Sequence, residues 1–158
     1  MSLFTVDGCH NYRVLSEADR AQEHIVISAS SYRSDYMIGQ VPGWYRFQGA
    51  AGDRMADKCV PMYHCGTKYP LWLNDTHPTV AEGAVIRAVC LHKSSSCCYL
   101  YQKIRVKNCG AYFVYALPTL YKYHDDSRYC GNGRAGEILR MFLRWPRRLK
   151  RKQKRKRK

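Results

Sequence analysis

Asn74, Asp75, Thr76, His77 and Glu82 fall within one short stretch, "YPLWLNDTHPTVAEG", residues 69–83. Two chemistries can be read there. Asp75, His77 and Glu82 are the residue types of a metal site or an acid–base pair. Asn74-Asp75-Thr76 is an acceptor sequence for N-linked glycosylation, the only one in the chain. That reaction needs an extended, exposed Asn whose amide is activated through the Thr76 hydroxyl. One segment supplies all three ionisable groups, and no second cluster converges on them in sequence. They therefore read as bystanders in a solvated loop, and Asn74 as the residue that carries chemistry. Ser94 and Ser96, beside Cys97, lack the G-x-S-x-G setting of an activated nucleophile. Tyr123, His124, Asp125 and Asp126 read as surface. No catalytic residue, metal or cofactor is assigned.

Eight cysteines surround this stretch: Cys9, Cys59, Cys65, Cys90, Cys97, Cys98, Cys109 and Cys130. An even number spread over loop and strand boundaries is the pattern of a secreted disulfide framework. Zinc is the rival reading, since His10 adjoins Cys9 and His64 adjoins Cys65. Zinc modules need ligands paired about two to four residues apart. The short gaps here are six, seven, one and eleven, and none makes such a knuckle. A bond between the neighbours Cys97 and Cys98 would strain their peptide. In a strand their side chains point to opposite faces, so each is read as pairing elsewhere. Spacing alone leaves about 105 connectivities open.

The elements that hold these residues read as short strands. "GWYRFQGAAG" is an aromatic strand ending in a glycine turn. Trp44 and Arg46 fall on one face, Tyr45 and Phe47 on the other; core packing is favoured over a ligand-stacking platform. "CVPMYHC", 59–65, reads as a short extended piece that Pro61 makes either an edge strand or no strand. "AVIRAVCL", 84–91, and "YLYQKIRVKNC", 99–109, have strand composition, with Ile104 and Val106 alternating against Lys103, Arg105 and Lys107. "AYFVYALP", 111–118, follows after an Asn108-Cys109-Gly110 turn, which predicts an antiparallel hairpin. A short helix is predicted after Ser16. Pro70 and Trp72 are read as anchoring the Asn74 loop to the core.

Charge divides the chain. The net charge is +15, but residues 134–158 hold 13 of the 27 Lys and Arg and one acid, Glu137. The remainder has 14 basic against 11 acidic residues, so the body is nearly neutral. "GNGRAG" reads as a hinge. Ile138, Phe142 and Trp145 then share one face of a short basic helix that Pro146 ends. Beyond it Arg147, Arg148, Lys150, Arg151, Lys152, Lys154, Arg155, Lys156, Arg157 and Lys158 form a solvated, disordered polybasic tail. Such a tail suits a polyanion: a glycosaminoglycan, nucleic acid or an acidic membrane surface. No apolar run reaches the ~18 residues of a membrane span. "MSLFTVDGCH" shows no charged start, apolar stretch and cleavage site of a signal peptide, which suggests an incomplete chain.

"GWYRFQGAAGDRMADKCV", a cysteine five residues later, "PLWLNDTHPTVAEGAVIRAVC", "SCC", "IRVKNCGAYFVYALP" and "RYC" together resemble the eight-cysteine domain of the uromodulin and pancreatic secretory granule membrane glycoprotein group. The likeness runs from about Cys9 to Cys130, with the aromatic, Pro-Trp-Leu and vicinal-cysteine elements in the same order. It implies the pairing Cys9–Cys109, Cys59–Cys97, Cys65–Cys130 and Cys90–Cys98. The resembled domains carry one further bridge, whose cysteines are absent here near Met37 and within 119–127, which implies a less tethered 119–127. Their matching sequon is glycosylated, and in some members its mannose-rich glycan acts as bait for bacterial adhesins. Their growth-factor-like repeats and polymerising module have no counterpart here.

The expectation is a β-rich, disulfide-stapled extracellular module with four bridges and minor helix, an α+β arrangement being admissible. Residues 1–8 lead in, 9–131 form the eight-cysteine domain, and 132–158 form the short basic helix and tail. The function expected is non-enzymatic adhesion or recognition, with an N-glycan on Asn74 shown to carbohydrate-binding proteins, or contact with other extracellular proteins. The alternative is an intracellular, nuclear protein that uses the tail on nucleic acid and a Cys/His metal site.

Overall fold

Alternation of apolar and polar residues with period two makes a strand that can bury one face. The computed structural model, which describes residues 7–38, 43–120 and 126–134, places that pattern in the second half of its longest strand. Strand β4 is Ala84–Lys93 and β5 is Ser96–Asn108. They pair antiparallel, with Val89 opposite Gln102 and Val85 opposite Val106. Five further strands complete one seven-stranded mixed sheet: β1, Tyr12–Leu15; β2, Trp44–Phe47; β3, Tyr69–Leu73; β6, Phe113–Ala116; and β7, Ser127–Tyr129. The order across the sheet is β1-β2-β6-β5-β4-β3-β7. The β-rich expectation therefore holds, and the helical content described is confined to single 3-10 turns.

One face of the sheet carries the main core. Tyr45, Phe47, Leu71, Leu73, Val89, Leu91, Ile104, Val106, Tyr115 and Tyr129 are buried there with Met55 and Leu120. On the opposite face two smaller clusters cover the ends. Trp44, Val114 and Ala116 pack with Cys9, Cys109, Tyr12 and Tyr112. Trp72 and Cys90 pack with Ala56, Val60, Cys65 and Cys130. The aromatic triplet thus divides as its parity requires, and all three of its rings are buried.

The bridges sit at these covers. Cys9 is bonded to Cys109, Cys59 to Cys97, Cys65 to Cys130 and Cys90 to Cys98, the pairs that the resemblance implies. The vicinal pair is served by an irregularity in the hairpin. Leu91 opposes Leu100 and Lys93 opposes Ser96, so β5 uses four steps where β4 uses two. The two extra residues are taken up around Cys97 and Cys98, which reach different partners.

Three local expectations change. The helix predicted after Ser16 is a 3-10 turn, Ala18–Arg20. Arg20 is drawn inward there and is 2% exposed. It donates to Asp35 through both terminal nitrogens, at 2.6 and 2.9 Å, to Glu17 and to the Tyr129 carbonyl. Arg128 of β7 joins the network through Asp19 at 2.8 Å, tying residues 17–35 to the sheet edge. The stretch 59–65 forms no strand, the second of the two readings, and turns at 62–65, where Tyr63 and Cys65 adopt positive φ (66° and 45°). The apolar run from Tyr69 is itself a strand, although Pro70 lies in it. The Tyr69 N–H bonds the Asp126 carbonyl and the Cys130 N–H bonds the Leu71 carbonyl. Proline's missing donor falls on the other side, where pairing with β4 starts only at Leu71. The predicted basic helix at 138–145, the polyanion-binding residues 147–158 and residues 121–125 lie outside the described residues.

Candidate functional site

Asn74 follows directly on β3. Its backbone N–H bonds the Ala88 carbonyl at 3.0 Å, so the sheet fixes its main chain. Asn74, Asp75 and Thr76 are all exposed. Tyr69 to Leu73, by contrast, are buried or nearly so, with the Trp72 indole donating to the Cys97 carbonyl at 2.8 Å. The residues that anchor the loop and the residue it presents are thus adjacent.

Four contacts hold the loop that follows. Arg87 donates to the Thr76 carbonyl and to Glu82, each at 2.8 Å. Thr79 caps the 3-10 turn Val80–Glu82, whose Glu82 carboxylate accepts from the Thr79 backbone N–H. That hydrogen bond, with the Arg87 pair, lowers the Glu82 pKa. Asn108 donates to the Pro78 carbonyl at 2.9 Å. Gly83, at φ 67°, turns the chain into β4.

The fourth contact corrects the reading of His77 as a solvated bystander. Its side chain is 6% exposed. The ring lies 4.6 Å from Phe113, and Nε2 is 2.9 Å from the Tyr115 hydroxyl. Nδ1 is 3.5 Å from the Asp57 carboxylate. Burial lowers the His77 pKa and raises that of Tyr115, outweighing the opposing influence of Asp57 on the histidine. The second cluster missing from the sequence neighbourhood is supplied by residues 20 positions before and 36 to 38 after. Tyr115 is fully buried, which leaves no room for a substrate between the two rings. The cluster supports the loop. Asp75 and Glu82, the other two candidates, remain at the surface as partners of Arg87.

The remaining candidates separate. Ser94 and Ser95 form the tip of the β4–β5 hairpin and Ser96 opens β5. His10 lies beside Asp7, and His64 faces the Met62 carbonyl; their neighbours Cys9 and Cys65 are in disulfides. Among the described residues the grouping with metal-ligand spacing is Cys59, His92 and Cys97. Its two sulfurs are bonded to each other, so it holds no thiolates for a metal. His92, which sequence spacing did not single out, lies with Nδ1 2.8 Å from the Val60 carbonyl. A groove of about 340 Å³ lies at the end of β2, lined by Arg46, Gln48, Asp53, Tyr112, Asn132 and Arg134 among others. Its Arg46 guanidinium is stacked 3.8 Å over Tyr112 and bonded to the Tyr12 hydroxyl.

Comparison with known proteins places this geometry. The uromodulin-like eight-cysteine domain family matches residues 45–131. The chain is 44% identical over 125 residues to the pancreatic secretory granule membrane major glycoprotein GP2 of Canis lupus familiaris, covering 78% of this chain and 23% of that protein. It is 42% identical over 114 residues to uromodulin of Mus musculus, covering 72% and 17%. GP2 of Homo sapiens is 41% identical over 112 residues, covering 70% and 20%. The chain thus spans about a fifth of the length of these relatives.

Proposed function

Because this chain belongs to the uromodulin-like eight-cysteine domain family, we propose that it is a non-enzymatic extracellular recognition module that presents an N-glycan from Asn74 to carbohydrate-binding proteins, mannose-binding bacterial adhesins among them. The observation that carries this reading is the contrast at Asn74. The asparagine is exposed, and the loop behind it is fixed by Arg87, His77 and Asn108. A sugar attached there would leave a rigid base, so little orientational freedom would be lost when a lectin binds it. All eight cysteines in bridges and the likeness to glycoproteins support an oxidising, extracellular setting.

The test is expression in a eukaryotic secretory system, followed by intact-mass measurement before and after treatment with an N-glycosidase. A glycan-sized mass loss that is absent in Asn74→Gln supports the reading, as does binding of the untreated protein to a mannose-specific adhesin. A secreted protein with an unmodified Asn74 overturns it. Free thiols, or stoichiometric zinc, would favour the intracellular alternative.

A further inference from the structure

The groove at the end of β2 is a preformed concave site of about 340 Å³. Backbone hydrogen bonds fix its walls. The Asn132 N–H bonds the Arg54 carbonyl at 2.9 Å, and the Gly133 N–H bonds the Ala51 carbonyl at 3.0 Å. The Asn132 side chain adds to this, its Oδ1 accepting from the Asp53 N–H at 3.0 Å. Small-molecule sites span about 300–1,000 Å³, so the groove has room for one small ligand.

Arg46 is half-buried in this groove and oriented by two rings. Nη1 donates to the Tyr12 hydroxyl at 2.8 Å, and the guanidinium carbon lies 5.5 Å from the Tyr12 ring centre and 3.8 Å from that of Tyr112. The Tyr112 hydroxyl is itself fixed on the Cys9 carbonyl at 2.7 Å. These contacts position the cation and leave its charge uncompensated, because an aromatic face carries no net charge. Among the described residues Arg46 has no carboxylate partner, whereas Arg20, Arg87 and Arg128 each have at least two. Its neighbour on β1 is Val14. Nη2 makes no hydrogen bond among the described residues, and Nε is buried without one.

The other polar groups of the groove are partly committed. Asp53 accepts at Oδ1 from Arg54 Nε at 3.2 Å and from Asn132 Nδ2 at 2.8 Å. Its Oδ2 has no such partner among the described residues, and neither has the exposed Gln48 amide. Arg134 stands at the rim, 73% exposed and 4.0 Å from Glu23.

We propose that this groove binds a monosaccharide unit that carries a carboxylate, a uronic or a sialic acid. Arg46 pairs with the carboxylate through Nη2, a charge-assisted hydrogen bond. Gln48 and Oδ2 of Asp53 bond the hydroxyls. One uncompensated cation beside one carboxylate suits a ligand with a single negative charge and neutral hydroxyls next to it. Asp53 repels a ligand with anionic groups along its length, such as a sulfated chain. Arg46 covers the Tyr112 face, so recognition runs through charge and hydrogen bonds rather than ring stacking. The lining is mostly polar, which favours a polyhydroxyl ligand over the apolar side chains of a peptide. The groove lies at the end of β2 and Asn74 follows β3, so this site does not rest on glycan display.

The test uses the full secreted chain, as wild type and as Asn74→Gln. Methyl β-glucuronoside and methyl α-sialoside are titrated by saturation-transfer NMR, beside their uncharged methyl esters, sodium acetate and tri-glutamate. Saturable binding of either acidic sugar is expected, weakened about tenfold or more in its ester by loss of one charged hydrogen bond. Gln48→Glu places a like charge in the groove from an exposed position, and should weaken binding severalfold at an unchanged melting temperature. Arg46→Gln should abolish binding; where it fails to fold, Gln48→Glu decides alone. Binding of neither sugar overturns the proposal. So does an ester that binds as tightly as its acid, or acetate or tri-glutamate that binds as tightly as the sugars, which would show a site for any carboxylate. Sugar binding unaltered in Gln48→Glu, or retained in a folded Arg46→Gln, also overturns it and puts the sugar elsewhere, residues 147–158 included. Binding is the same in Asn74→Gln, so failure of glycan display leaves it standing and its failure leaves glycan display standing.

Discussion

His77 accepts a hydrogen bond from the phenol of Tyr115 across 2.9 Å, joining the Asn74 loop to the centre of β6. The direction of the bond follows from the surroundings. Burial holds Tyr115 neutral, and its hydroxyl oxygen already accepts from the Met55 N–H at 2.9 Å. The Asp57 carboxylate, 3.5 Å from Nδ1, can only accept, so it favours the ring proton on Nδ1 and leaves Nε2 to accept from the phenol.

A neutral buried histidine makes stability depend on pH in a stated direction. The folded His77 pKa lies below its unfolded value of about 6.5. The unfolded chain binds more protons in the window below that value, so stability is full above pH ~6.5 and is lost as pH falls through it. Asp57, Asp53 and Arg54 also face the ring. The melting temperature should drop between pH ~7.5 and pH ~5. The drop should shrink in His77→Gln, whose side chain does not titrate.

Glu17 adds a second, more acidic window. Partial burial works to raise its pKa, but hydrogen bonds and charge from Arg20, with the charge of Arg128, lower it to about 2. Its contribution is present above the unfolded value near 4.5 and lost as pH falls toward 2. Thermal scans of Glu17→Gln should be flatter than wild type below pH 4.5, with the near-neutral segment unaltered.

Asp35→Asn leaves the Arg20 guanidinium buried without its charge partner. Loss of one member of a buried pair costs about 3–5 kcal/mol, whereas Asp53→Asn at the surface should cost about 1 kcal/mol or less. Chemical denaturation midpoints of the two variants measure the contrast.

The bridges should differ in weight. In the chain-entropy treatment, closing the Cys9–Cys109 loop of separation 100 stabilises by about 4.7 kcal/mol. The Cys90–Cys98 loop of separation 8 contributes about 2.5 kcal/mol on the same footing. Replacing Cys9 and Cys109 by Ser should lower the secreted yield and melting temperature more than replacing Cys90 and Cys98. Equal losses would contradict the loop-length account.

Gly131 has neighbours on both sides: it bridges Ala21 and Met55, and a Cβ there would overlap the Ala51 carbonyl and lie 3.0 Å from Phe47. The obstacle is backbone, so Gly131→Ala should destabilise by about 1–3 kcal/mol. Gly49→Ala, which meets nothing within 4 Å, isolates the effect of positive φ alone. Guanidinium titration of the two variants separates crowding from conformation.

What was legible in the sequence follows from locality. Strand β5 announces itself because its second half buries Ile104 and Val106 on one face and so alternates, and β4 by its apolar, β-branched composition. The exposure of Asn74 agrees with its place after an apolar run. Strand β3 is harder to see, since Pro70 interrupts it and Pro70 to Leu73 are all buried. Strand β7 is three residues long and buries Ser127 and Arg128 along with Tyr129, which no hydropathy pattern reveals. His77 was misread for the same reason: Asp57, Phe113 and Tyr115 lie far from it along the chain. Arg20 and Asp35, fifteen residues apart, carry no signal in the sequence, and only the fold supplies each with the other.

Tyr112 has a mechanical consequence. Its hydroxyl donates to the Cys9 carbonyl at 2.7 Å, and it lines the same groove as Arg134. Cys9 and Arg134, near the two ends of the described fold, thus meet at one tyrosine. Cys9 and Cys130 are each bonded into the body of the fold, at Cys109 and Cys65, so force applied near either end meets a covalent link before it meets the sheet's hydrogen bonds.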